Sequence, residues 1–139
     1  MVTKVYSQYC TGAPKDQLQA GEDRIISAGP LYPNILQVID QCGVYSATQR
    51  ANEFIALHKI DLGDLRVWVS NALVHGEYIN SQWCLGNSQK GLFACDSYVV
   101  SGMLYNPKTR QCEMTKVYVK VCITKTGNTI ATMSFHPSY

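Results

Sequence analysis

From Val117 to Ile123 every second residue is a branched apolar one, and the surrounding stretch 111–124 (QCEMTKVYVKVCIT) has no glycine or proline. That period of two predicts one long strand, with Val117, Val119, Val121 and Ile123 on one face. Cys112 and Cys122 then share the other face. The strand has neighbours on both sides in sequence. Ser97–Tyr105 precedes it across an Asn106-Pro-Lys-Thr109 turn, and Thr129–His136 follows across Lys125-Thr-Gly-Asn128. Pro107 suits the second position of a turn because its φ is already fixed there. Three consecutive antiparallel strands, a meander, are the expectation. With the first turn centred on Pro107 and Lys108, Met103 faces Cys112 and Cys95 lies diagonal to Cys122.

Upstream, the pattern changes. Thr3–Tyr9 is β-prone and reads as an edge strand. Asp16 with Gln19 supplies an N-cap for a helix that Gly29-Pro30 would end. Pro33 suits the first turn of a second helix, carrying Ile35, Leu36, Val38 and Ile39 and stopped by Gly43. Ser46 and Gln49 form a capping box ahead of Ala51, Phe54, Ile55 and His58 at helical spacing, and the alternative is a strand over Phe54–Ile60 that pairs across Asp61-Leu-Gly-Asp64 with the next one. Leu65, Val67 and Val69 alternate with Arg66, Trp68 and Ser70, which predicts a strand. A further apolar stretch runs from Ala72 to Cys84. No repeat, low-complexity segment or linker divides the chain. The expected architecture is a single domain over 1–139 of α+β class. Helices occupy its N-terminal third and an antiparallel meander its C-terminal two-thirds, stapled by disulfides.

The staples are inferred from Cys10, Cys42, Cys84, Cys95, Cys112 and Cys122. No two stand in a C-x-x-C knuckle, so neither zinc nor a thioredoxin-like pair is indicated. An even number at wide, irregular spacing is the pattern of a disulfide framework, set against six reduced core thiols. Ten residues of strand hold Cys112 and Cys122 about 33 Å apart at ~3.3 Å per residue, far beyond the ~7 Å that a disulfide spans. One arrangement consistent with that limit joins Cys10 to Cys122, Cys84 to Cys95 and Cys42 to Cys112. Disulfides place the protein outside the cell. The amino terminus carries no apolar signal core, so the chain is either cytosolic or a mature form whose signal peptide has been removed.

Charged residues are 16% of the chain and apolar ones 46%, enough apolar surface to fold on. Residues 71–139 carry six Lys and Arg against three acids, whereas residues 1–70 are nearly balanced. Lys108, Arg110, Lys116, Tyr118 and Lys120 in that basic half form a candidate contact surface for a protein partner. The cations are too dispersed for a nucleic-acid interface, and no apolar run reaches the ~20 residues of a membrane span. Trp68, Tyr78 and Trp83 form an alternative stacking platform for sugars or bases. His75 and Glu77 would share a strand face, as an acid–base pair requires. No nucleophile elbow, phosphate loop or zinc-protease motif is present, and no cofactor, metal or catalytic set is indicated.

Two resemblances follow. The early helix, the later sheet bearing Glu77, Arg110, Glu113 and His136, and the tail VCITKTGN are similar to small fungal guanyl-type ribonucleases. Lys125 or Thr124 stands where that family would carry a catalytic histidine, so the likeness implies a small hydrolase or an inactive relative. At class level, six spaced cysteines, helix-then-sheet order and missing enzyme motifs resemble the small secreted cysteine-rich effectors of plant-pathogenic fungi, including the avirulence type. That likeness implies a secreted protein, in some cases moved into a host cell, that binds a host target or is detected by a receptor. A carbohydrate- or small-ligand-binding module is the third expectation.

Overall fold

The computed structural model describes residues 4–14, 24–26, 29–85 and 91–137. Its strands are β1 (Arg24–Ile26), β2 (Gly43–Ser46), β3 (Glu77–Leu85), β4 (Leu92–Asn106), β5 (Gln111–Ile123) and β6 (Thr129–Pro137). Its helices are α1 (Ile35–Val38, continued by a 3-10 turn at Ile39–Gln41), α2 (Gln49–Leu57) and α3 (Leu62–His75). All six strands form one curled sheet in the order β1-β3-β4-β5-β6-β2. β3 to β6 are an antiparallel meander, β1 adds antiparallel to β3, and β2 closes the other edge parallel to β6.

This corrects the expected architecture. Strand is the dominant structure, β1 and β2 lie inside the first third, and α2 and α3 lie beyond it. None of the six cysteines is disulfide-bonded. The helix expected from Asp16 falls largely outside the described residues, and Arg24–Ile26 within it is strand. Of the expected edge strand, Val5 and Ser7 form only isolated bridges, to Leu92 and Thr124.

The largest correction is at Leu65–Ser70, which is helix. Leu65, Val67 and Val69 fit a period of two, but Leu65, Trp68, Val69 and Ala72 also stand at i, i+3, i+4 and i+7. Those four are buried, whereas Val67 is 57% exposed. A capping box decides the start, with Asp61 and Asp64 each accepting the other's backbone N–H. Arg66 then ties the helix to the 3-10 turn after α1 by donating to the Ile39 and Cys42 carbonyls. In α2 the cap is Thr48 rather than Ser46. Its hydroxyl accepts from Ala51 N–H (3.2 Å) and donates to the Met133 carbonyl (3.0 Å), fastening the helix to β6.

The helices pack on the sheet face that carries Val117, Val119, Val121 and Ile123, all buried as the alternation requires. Phe135 sits between the two longer helices, 5.3 Å from Phe54 and edge-on to Trp68 at 5.6 Å. Position 102 is glycine because a Cβ there would come within 2.8 Å of the Trp68 ring. The β4–β5 turn also differs from its expected form. Asn106 pairs with Gln111 around a four-residue loop ending at Arg110 in the left-handed region (φ 58°). Tyr105 therefore faces Cys112, and Met103 faces Met114.

At the other end of β4, Asp96 is 1% exposed and binds the loop before α1. Its carboxylate accepts the Leu31 N–H (2.9 and 3.0 Å to the two oxygens), the Tyr32 N–H (3.2 Å) and the Ser81 hydroxyl (2.6 Å). Burial raises its pKa, and these hydrogen bonds offset part of the rise. Burial, and then the Asp96 charge, pushes Tyr98 up to about 12. Asp96→Ala takes the acceptor from the Leu31 and Tyr32 N–H groups, while the Ser81 hydroxyl can still donate to the Gly29 carbonyl (3.0 Å), so urea unfolding is expected to show a loss of about 2 kcal/mol or more. The pH dependence has a defined sign. The folded state holds the Asp96 proton more tightly than the unfolded state does. Its contribution is therefore complete below the unfolded value of ~3.9 and is lost as pH rises through the folded value. The stability of the native chain relative to Asp96→Asn should fall as pH is raised from about 4 to 7. A rising difference would refute the assignment.

Candidate functional site

Arg50, Phe54, Leu57 and His58 stand at i, i+4, i+7 and i+8 on α2 and so share one face. That face looks onto the outer part of the β4–β5 hairpin. α2 ends in a Schellman turn, with Ile60 N–H bonded to Ile55 O (2.8 Å) and Lys59 N–H to Ala56 O (3.2 Å). Lys59 occupies the left-handed position (φ 55°) that glycine usually takes. Its ammonium lies 4.5 Å from the centre of the Tyr105 ring. One residue earlier, His58 Nδ1 is 2.6 Å from the Tyr105 carbonyl. A carbonyl only accepts, so Nδ1 carries the proton, and in the neutral ring Nε2 is left as an acceptor. The His58 ring packs against Phe54 in a tilted arrangement, 4.1 Å between centroids.

Two hollows flank this His58–Tyr105 contact. The smaller, about 340 Å³, lies between α3 and β4 and is lined by Asp64, Val67, Trp68, Asn71 and Gly102–Tyr105, with Cys112 at its edge. The larger, about 750 Å³, is a cleft between α2 and the hairpin. The α2 face forms one wall. Leu104, Tyr105, Asn106, Glu113 and Thr115 form the second, Pro107 and Lys108 the turn above it, and His136 and Pro137 the end. His136 Nδ1 also meets a carbonyl, that of Pro137 at 3.0 Å, and its ring stacks on Tyr118 at 5.1 Å. Glu113 accepts from Asn106 Nδ2 (3.1 Å) and the Thr109 hydroxyl (2.8 Å), and these two bonds lower its pKa. The cleft is thus apolar in its walls and cationic at its rims.

The candidate residues from the sequence are distributed unevenly about it. Of the expected contact surface, Lys108 lines the cleft, Arg110 and Lys116 are exposed outside it, and Tyr118 is half-buried. Lys120 is only 5% exposed, with its ammonium 5.9 Å from the Tyr118 ring. The aromatic platform is not assembled. Trp68 packs under α3 against Gly102, Trp83 is buried with Leu92 and Ala94, and Tyr78 packs edge-on to Tyr98. His75 closes α3 while Glu77 opens β3, so they share no strand face. Glu77, Val99, Tyr118 and His136 form one row across four strands, which puts Glu77 about 14 Å from His136 at ~4.8 Å per strand. Glu113 and His136 both line the cleft. Arg50, Leu57, Leu104 and Thr115 were not anticipated, although the i, i+4, i+7, i+8 spacing on α2 was a readable signal.

Cys10 and Cys112 are exposed; Cys42, Cys84, Cys95 and Cys122 are buried. The Cys95 thiol donates to the Phe93 carbonyl (3.6 Å), and burial pushes it well above the ordinary range, with Cys122 adding to the rise. Among the described residues no cluster of His, Cys, Asp or Glu could hold a metal ion, and no helix is long and apolar enough to cross a membrane. Ellman titration of the unreduced protein should find two fast thiols in the native chain and all six in denaturant. Fewer than six in denaturant would restore the disulfide framework.

No protein-family model matches the chain, and neither curated proteins nor solved structures give a match.

Proposed function

We propose that this is a binding protein that holds its guest in the cleft between α2 and the β4–β5 hairpin, without catalysis. The observation that carries the reading is the cleft itself. At about 750 Å³ it falls within the usual range for ligand sites, with apolar walls and a few polar groups at its rims. A catalytic reading has less support. Both imidazoles are held through Nδ1 by backbone carbonyls, and the Glu113 carboxylate is committed to the turn. The interaction role inferred from the sequence is retained here as binding. Its extracellular setting was inferred from disulfides, and none of the six cysteines is disulfide-bonded.

A protein target is the second reading, favoured by Met103 and Met114. They pair across β4 and β5 and are 58% and 68% exposed. Amide NMR spectra recorded against a fragment library distinguish the two. Cleft binders are expected to shift Leu57, His58, Tyr105 and Thr115, and Leu57→Asp should weaken them at least about tenfold. Leu57 is 58% exposed, so its unfolding midpoint should hold. A library with no hits, or hits only around the methionine pair, would sink the cleft reading.

A further inference from the structure

Resting on that reading, we infer that the guest is an amphipathic organic monoanion: a hydrocarbon or aryl body ending in a carboxylate. Charge and shape argue together. Arg50 on α2 and Lys108 on the hairpin turn are both exposed lining residues of the cleft, and among the described residues neither forms an ion pair. Glu113 is the sole acid in the lining, and its oxygens are already occupied by Asn106 and Thr109. Arg50, Lys108 and Glu113 together leave the lining one positive charge in excess. A single carboxylate balances that charge, whereas a dianionic phosphate would reverse it.

The Arg50 guanidinium offers the planar fork that a carboxylate fits. Between the rims the walls are Phe54, Leu57 and Leu104, with Pro107 and Pro137 beyond. Leu57 is a large apolar side chain 58% exposed at this mouth, surface that a guest's hydrocarbon would cover. A purely polar anion would leave these walls wet, and a neutral hydrocarbon would leave both cations unmatched. Both features are met by one molecule with a charged end and an apolar end.

The test titrates the full chain with sodium octanoate and decanoate, 1-octanol and octylamine, by calorimetry with amide NMR. Octanoate is expected to shift cleft amides, and affinity should rise roughly threefold to fourfold per added methylene. Arg50→Gln with Lys108→Gln should weaken octanoate at least about tenfold and leave 1-octanol unaffected. Both sites lie on polar rims, and an unchanged unfolding midpoint shows that the fold survives. If 1-octanol or octylamine shifts the cleft as strongly as octanoate, the anion assignment is overturned while the cleft reading stands. If none of the four shifts it, the assignment is overturned, and the fragment screen decides whether the cleft reading falls too.

Discussion

β4 and β5 stay paired from Asp96 and Val121 out to Asn106 and Gln111, but β3 leaves β4 at Val99 and β6 leaves β5 at Val117. Among the described residues, the outer hairpin therefore runs on as two strands with no strand beside either. A two-stranded ribbon is marginal by itself in water. Helices supply what the missing strands do not. Trp68 lies on Gly102, the Tyr105 carbonyl meets His58, and Lys59 covers the Tyr105 ring. A helix cannot follow a pleated edge as a strand does, so the substitution leaves space on both sides of these contacts. The two hollows are that space.

The same contacts explain an apparent local cost. A lysine in the left-handed region is unfavourable by roughly 1–2 kcal/mol relative to the right-handed one. Here it turns α2 so that consecutive residues, His58 and Lys59, both reach Tyr105. A glycine would close the turn more cheaply and would contribute no cation to the ring. Asp96 does comparable work at the far end of β4, where three donors gather on one buried carboxylate and fix the chain before α1. Between these two anchors β4 is held at both ends.

Much of the sheet was legible because its strands alternate. The long strand read at 111–124 is β5 at Gln111–Ile123, and the meander around it is present. What failed did so for identifiable reasons. Leu65–Val69 satisfies both periods, and only the Asp61–Asp64 cap separates them. The hairpin register depends on loop length, and nothing in Asn106-Pro-Lys-Thr109 shows that Arg110 adopts a positive φ. Cysteine spacing indicated a framework, yet four of the thiols pack as small core groups, which number and spacing alone do not distinguish. The cleft was largely hidden because Arg50 and Lys108 are far apart in sequence and meet only once α2 lies beside the hairpin.

Parallel pairing of β2 with β6 has a kinetic meaning. Gly43–Ser46 bonds to Thr129–Thr132, and Ser7 bridges to Thr124, so these two early segments find their strand partners far along the chain. On the ribosome, β2 emerges long before the strand it must join, and its ladder groups stay open to other chains meanwhile. Contacts this distant in sequence are closed late and slowly. The hairpin and α3 can form from neighbouring residues, so assembly should begin there and finish when β6 draws β2 in. The edge that completes the sheet is also the part most exposed to misassembly during synthesis.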